Sequence, residues 1–347
     1  MFKLPTKYKT KLDKIAFIDL FCGIGAFRLA LESFGAECVF SSDIDKYARE
    51  TYYNNFKEKP RGDITKIKVK NIPKHDMLCA GFPCQAFSCA GSRKGFEDIR
   101  GTLFFNVSKI IKYHKPKVVI LENVEGLINH DYGKTFKIIK NILINLDYDI
   151  NYKVLNASYY GVPQARKRIY IVCFRKDVKI KNFKFPKKTK IYKSIEDIKD
   201  SNLNIKHIKI YEKRFYKLKN KVILKDIFGN YPRKLINLGV KLSIDKGTKK
   251  LRKQRGMTCR IYSSFGHAVT QMAQDDSRGC HSGTYRFSNL VRTLTVRESM
   301  RCMGFPDKYN VHKKPSKAYK QAGNSIVVNV LQCIIKEIIK TKVFKGE

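Results

Sequence analysis

Gly81-Phe82-Pro83-Cys84-Gln85 follows the apolar run Met77-Leu78-Cys79-Ala80 without a break. A thiol delivered at the end of such a run is partly exposed and faces backbone N–H groups, which favour the nucleophilic thiolate. By itself, a lone cysteine there is more often a structural thiol. Glu122-Asn123-Val124 follows a second apolar run, Val118-Val119-Ile120-Leu121. Desolvation in that crowded place raises a carboxyl pKa and can keep it protonated, ready to donate as a general acid. The plainer reading is a glutamate at a helix start. Gln164-Ala165-Arg166-Lys167-Arg168 precedes a third run, Ile169–Phe174. Alternate residues of an extended segment face one way, so Gln164, Arg166 and Arg168 are predicted to converge. Arginines there bind a phosphate or a carbonyl, or else form a solvated basic turn.

A second constellation has the spacing of a nucleotide pocket. Asp19-Leu20-Phe21-Cys22-Gly23-Ile24-Gly25 closes the run Ile15–Leu20 and opens a helix. Glycines there let the backbone approach a ligand at a helix N-terminus. The third glycine of the dinucleotide fingerprint is absent, which speaks against a nicotinamide cofactor. Asp43, followed by Ile44, ends the next strand about twenty residues on, where a carboxylate accepts from a ribose diol. Asp63 and Ile64 are expected at the end of a further strand, where an acid can face an adenine amino group. One such acid reads as well as a helix cap; two at successive strand ends favour a ligand. The glycines of Gly126 to Gly133-Lys134-Thr135 lie too far apart for a P-loop.

These residues need a frame that brings strand ends together. Strands read at Ile15–Leu20, Cys38–Phe40, Met77–Ala80, Val118–Leu121 and Ile169–Phe174. Helices read between them at Ala26–Phe34, Asp45–Asn55, Phe104–Tyr113 and Lys134–Leu146. The alternation predicts an α/β fold: a Rossmann-like, mostly parallel sheet flanked by helices, with its site at the carboxyl edge. Ala86 to Thr102, with Gly91, Gly95 and Gly101, reads as a long lid-like loop. From about Lys187 the chain becomes Lys-rich and poorly periodic, which predicts a second, smaller and irregular basic domain. Asn324 to Lys340 reads as an amphipathic helix packing back on the sheet. The expected organisation is 1–187, 188–317 and 318–347.

Composition narrows the partners. The 347 residues carry 71 Lys and Arg against 30 Asp and Glu, a net charge of +41. A polyanion relieves that self-repulsion, so nucleic acid leads; AT-rich coding accounts for part of the excess. A hydrophobic share of 43% excludes wholesale disorder. No uncharged apolar run is long enough for a membrane span, and the basic N-terminus leads into a strand rather than a signal peptide. The ten cysteines form no C-x-x-C pair, so no metal is expected and reduced cytoplasmic thiols are.

Together these segments resemble the bacterial C5-cytosine DNA methyltransferases, the HhaI-type modification methylases. The motifs run in the family's order: Asp19 to Gly25, Gly81 to Gln85, Glu122 to Val124, Gln164 to Arg168, Arg292-Thr293-Leu294-Thr295-Val296-Arg297-Glu298, and Gln321-Ala322-Gly323-Asn324-Ser325. The resemblance covers about 15–178 and 285–333 and fades between. It implies S-adenosylmethionine as methyl donor. Phe21, Gly23 and Gly25 would frame its methionine part, Asp43 the ribose, and Asp63 and Ile64 the adenine, with Asp19 and Ile44 also in the cofactor site. Pro83, Asn324 and Ser325 would complete that site. Ala26 stands where the family usually has glycine. The resemblance makes Cys84 the nucleophile at cytosine C6, Glu122 the donor at N3 and Arg166 the support for the exocyclic carbonyl, with the base flipped out of the duplex.

Duplex DNA is the implied partner, and a cognate restriction endonuclease acting on the same site is a further one. A cytoplasmic monomer is expected. Lys249 to Gly256 is dense in basic residues suited to phosphates. Ser88, Ala90, Arg168, Arg255, Met257 and Arg260 are the expected DNA contacts, with Ala90 and Met257 candidates for filling the gap left by the base. Thr270, Gln271, Gln274 and Arg278 are of types that read groove edges. A nicotinamide oxidoreductase explains neither Cys84 nor the basic half. A non-catalytic DNA-binding relative would have a broken motif. The related enzymes that methylate tRNA through the same cysteine chemistry stay open.

Overall fold

The computed structural model describes residues 11–83, 103–201, 208–218, 235–244, 251–253, 259–274, 282–288 and 290–344. Two compact units result. The first comprises Lys3–Leu155, Lys167–Lys187 and Val330–Glu347, and the second Asn156–Arg166 and Lys188–Asn329 with the first two residues.

In the first unit, strands β1 (Ala16–Leu20), β2 (Glu37–Ser42), β3 (Met77–Ala80), β4 (Val118–Val124), β5 (Tyr148–Asn156) and β6 (Lys167–Arg175) form one sheet. Their order is β2-β1-β3-β4-β6-β5. The pairs β1–β2, β1–β3 and β3–β4 are parallel, and β4–β6 is antiparallel. Residues Met77–Ala80 of β3 and the first six of β4 are all buried. Strands covered on both faces have no polar side, which is why they read as unbroken apolar runs. Helices α1 (Ala26–Glu32), α2 (Lys46–Phe56), α3 (Leu103–His114) and α4 (Lys134–Asn145) supply the connections. Helix α2 starts where Asp45 accepts from the N–H groups of Tyr47 and Ala48, satisfying two orphan donors of its first turn.

The second unit holds a sheet where an irregular domain was expected. Strands β7 (Tyr216–Leu218), β8 (Asn237–Ile244), β9 (Leu251–Lys253), β10 (Arg260–Ser263), β11 (Thr284–Phe287) and β12 (Leu290–Thr293) build it. The order is β12-β11-β10-β8-β7, with β9 also beside β8. Only β10–β11 is parallel among these pairs. Most of these strands are short, and polar residues interrupt them; Lys241 is buried within β8. Helix α5 (Val296–Cys302) opens with a capping box between Thr295 and Glu298. Glu298 also forms a fully buried two-bond pair with Arg292, at 2.7 and 2.8 Å.

The helix expected over 324–340 starts later, at Val328, and a separate helix precedes it. Helix α6 (Pro315–Asn324) ends at Gly323-Asn324, Ser325 turns extended, and α7 (Val328–Lys340) starts afresh. Gly and Asn are poor helix formers, and the Val328 N–H leaves to bond the Met303 carbonyl. The stretch Pro315–Lys340 is apolar and long enough to cross a bilayer by composition, but 67% of its most apolar window is buried in the protein's own core.

Candidate active site

Strand β1 ends in a turn that the backbone can make only in unusual conformations. Phe21, Gly23 and Gly25 have φ of 55°, 53° and 81°. The Gly23 N–H donates to Asp43 Oδ2 at 2.7 Å, and the Asp45 N–H donates to Asp43 Oδ1 at 2.8 Å. One carboxylate thus ties the glycine turn to the start of α2. Burial raises the Asp43 pKa, and those two backbone donors oppose the shift. A Cβ on Gly23 would meet nothing within 4 Å, so this side of the turn is open. Beside it, Ile44 is 75% exposed, an apolar side chain facing outward next to Asp43. An open glycine face, a carboxylate and an exposed aliphatic surface suit a nucleoside with a flexible tail, so these residues fit S-adenosylmethionine. Asp19 sits in the sheet between Ser41 of β2 and Cys79 of β3. Desolvation holds its carboxyl well above the usual range, against the pull of the Arg28 charge and backbone N–H.

Two expectations at this pocket need correction. No strand ends at Asp63: only Arg61 bridges, to Ser42, and Asp63 caps a short 3-10 turn, Ile64–Lys66. Its Oδ1 accepts from the Thr65 N–H and hydroxyl, at 2.9 and 2.8 Å, which lowers the Asp63 pKa. Ile64 points into the apolar core with Leu20, Phe40 and Phe82. Asp63 Oδ1 is thus engaged within its own turn, and the Ile64 carbonyl accepts from the Ile67 N–H.

Strand β3 leads through Gly81 and Phe82 to an exposed Pro83. Cys84 comes next in the chain and, with Ser88 and Ala90, lies outside the described residues. The approach to it is fixed by a residue whose role the sequence alone did not reveal. Buried Asn123 donates from Nδ2 to the Phe82 carbonyl at 2.9 Å, and Phe82 packs against Phe104. Its neighbour Glu122 is almost buried, opposite Tyr170 of β6. The Arg168 Nε lies 3.3 Å from Glu122 Oε1, while Lys167 reaches the other way to Glu125.

Arg166 does not do what was expected of it. Its terminal nitrogens donate to three main-chain carbonyls, those of Gln271, Gly323 and Ser325, at 3.2, 3.0 and 3.0 Å. A buried guanidinium so engaged is a poor support for a substrate carbonyl; Arg168 is the arginine that flanks Glu122. Gln164 is also turned inward, donating to the Cys302 carbonyl and the Met303 sulfur. Asn324 is exposed at the end of α6, and Ser325 behind it is buried.

Of the expected DNA contacts, Arg255 and Met257 lie outside the described residues, as does Arg278. Arg260 is exposed at the start of β10. Gln274 is exposed too, but Thr270 and Gln271 face inward, donating to the carbonyls of Ala165 and Ser299.

Comparison with known proteins completes this picture. The family model of the C-5 cytosine-specific DNA methylases matches residues 15–340. The type II methyltransferase M.HhaI of Haemophilus parahaemolyticus is 46% identical over 335 residues, covering 96% of this chain and 97% of that one. M.HpaII of Haemophilus parainfluenzae is 39% identical over 342 residues, covering 94% and 90%. Among solved structures, a mutant DNMT2 of Spodoptera frugiperda superposes with a TM-score of 0.66 at 18% identity, over 94% of this chain and 99% of that one. Dnmt2 of S. pombe gives 0.65 at 18%, over 94% and 98%. At that identity the two structures speak for the fold alone. With a parallel-rich sheet, the family's motifs in order and a match along nearly its whole length, the chain belongs to the C-5 cytosine-specific DNA methylases.

Proposed function

We propose that the first unit carries the chemistry of this DNA cytosine-5 methyltransferase, with Cys84, Glu122 and Arg168 at its centre, and that the second unit reads the target. The observation that carries this assignment is the Glu122–Arg168 pair, 3.3 Å apart. It stands next to Asn123, which tethers the segment that runs into Pro83 and Cys84. S-adenosylmethionine would be held by Asp43 and the Phe21–Gly25 turn, with Asp19 beneath, Ile44 against a ring face and Asp63 toward the adenine edge. The resemblance adds Pro83, Asn324 and Ser325. Once bound, the donor supplies an electrophilic methyl carbon.

The residues of the chain then do the following. C5 of cytosine is a poor nucleophile in the aromatic ring. The Cys84 thiolate adds to C6; the C5–C6 π electrons move toward C5, which becomes enamine-like. Negative charge growing toward N3 is met by Glu122 as donor. Arg168 holds the Glu122 carboxyl group in place and offers its remaining N–H groups to the adjacent ring carbonyl. After methylation, a base takes the C5 proton and the C6–S bond breaks, restoring the ring and the thiolate. The target must leave the stack for this, because C6 is out of reach within a duplex.

As in the restriction-modification relatives, the substrate is proposed to be a short specific duplex sequence protected from a cognate endonuclease. The enzyme is proposed to act as a monomer in the cytoplasm. Labelled methyl transfer to plasmid DNA, compared with tRNA, tests the substrate; bisulfite sequencing of the product maps the site. Transfer to tRNA alone would overturn the reading.

A further inference from the structure

Arg166 lies at the crossing of four segments of the second unit. The segment Pro163–Arg166 pairs with Ala268: the Ala268 N–H bonds the Pro163 carbonyl and the Ala165 N–H the Ala268 carbonyl. From there the chain runs over the end of α6 so closely that a Cβ on Gly323 would sit 2.4 Å from the Met272 carbonyl oxygen and 2.7 Å from the Ala273 N. The Arg166 guanidinium bonds both sides of that crossing, the Gln271 carbonyl on one strand of chain and the Gly323 and Ser325 carbonyls on the other. The Gln271 side chain extends the lacing to α5 through the Ser299 carbonyl, at 3.1 Å. The Gln271 N–H also points to Gln164 Oε1, at 3.4 Å.

We infer that Arg166 is a positioning residue for DNA reading: it clasps 271–273 to the end of α6 and so sets where the exposed Met272, Ala273 and Gln274 stand. Three features converge on this. The bonds go to backbone carbonyls, so they fix the path of the chain rather than one side chain. The arginine is 3% exposed, so its charge is spent internally. Directly after the clasp, the side chains turn from buried Gln271 to three exposed residues in a row. A planar fork with several fixed donors can hold three carbonyls at once; a lysine ammonium is a point donor and cannot hold them in the same geometry. The inference rests on the second unit being the one that reads the target.

The test compares Arg166→Met, Arg166→Lys and Gln271→Ala with the wild type, at the site mapped for the wild type. Each is assayed for kcat, for KM toward duplex, and for the ratio of methylation at the mapped site to that at single-base variants of it. Donor affinity is measured separately by calorimetry. Arg166→Met should raise KM for duplex at least about tenfold and lower the discrimination ratio, with kcat at saturating duplex and saturating donor within about threefold. Arg166→Lys should fall between, and Gln271→Ala, which leaves the arginine in place, should shift KM and discrimination in the same direction. The proposal is overturned if kcat falls about a hundredfold with KM unchanged, since the arginine would then act on the reacting base. It is also overturned if KM and discrimination stay at the wild-type values. Should Arg166→Met fail to fold, Gln271→Ala decides by the same criteria. If the wild type itself transfers no methyl group to duplex, the functional reading falls and this proposal falls with it.

Discussion

Gly25→Ala is the sharpest probe of the donor pocket. Gly25 is held at φ +81°, where an alanine costs roughly 1–2 kcal/mol. The added Cβ would lie 2.4 and 2.9 Å from two atoms of the Phe56 ring and 3.1 Å from Tyr52. That ring has little room to retreat. It packs on Tyr52 with centroids 4.6 Å apart, and the Arg28 guanidinium sits 4.7 Å from its centre. Arg28 is itself pinned by Glu32 and Glu58, both at 2.6 Å. Pushing Phe56 off its rotamer adds about 0.5–1.5 kcal/mol, and disturbing the cation–π contact about as much again. The total is about 2–5 kcal/mol, all of it relieved if the Gly23–Gly25 turn opens. Donor binding would have to close it again. Calorimetry should therefore show S-adenosylmethionine binding at least about 30-fold more weakly in Gly25→Ala. Adding Phe56→Ala should recover the steric part and leave the backbone part. Binding within about twofold of wild type, with an unchanged melting temperature, would refute the packing argument.

Further outcomes follow from other sites. Glu122→Gln should lower kcat at least about tenfold while duplex binding survives, as single-turnover assays would show; an unchanged rate removes Glu122 from the chemistry. Arg292→Met would strand the buried Glu298 charge and lower stability to urea by about 3–5 kcal/mol, with partial recovery in Arg292→Met combined with Glu298→Leu. His75 is buried, and its pKa falls from an ordinary 6.5 to about 4. Between those values the unfolded chain binds a proton that the folded chain refuses, so stability drops as pH falls through the window and is constant above it. From pH 7 to pH 5 the wild type should lose about 2 kcal/mol more than His75→Gln in urea denaturation; equal losses would contradict the assignment. Burial pushes the Cys38 thiol up to about 12, and raises the pKa of Cys22, Cys79, Cys173 and Cys302 as well. These five should react with iodoacetamide only after unfolding; rapid labelling of any of them in the native protein would refute this.

Much of the first unit was legible because its strands are buried on both faces. Met77–Ala80 and Val118–Leu121 need no partner to be recognised, and the glycine turn and Asp43 follow from where strands end. Strand β5 was missed: Asp149 and Lys153 interrupt it at the sheet's edge, where one face is open to solvent. The second sheet escaped for a related reason, since pairing between short strands with polar insertions is a long-range property. The two arginines show where a face rule fails. Counting alternate positions put Arg166 and Arg168 on one side. Yet the chain changes pairing partner between them: Gln164 bridges to Ala268, whereas Arg168 already lies opposite Val124 in β6. Asp63 misled because a carboxylate before Ile64 looks the same at a strand end as on a cap.

The central claim is that Cys84 forms a bond to cytosine C6, and one measurement addresses it directly. A duplex bearing the mapped site with fluorine in place of hydrogen at C5 of the target cytosine leaves no C5 proton for the base to remove, so the C6–S bond cannot be released. Incubated with S-adenosylmethionine and digested, the wild-type protein should yield a peptide–nucleotide adduct that mass spectrometry places on Cys84, and Cys84→Ser should yield none while still binding the duplex. An adduct on another residue, or unimpaired methylation by Cys84→Ser, would contradict the account.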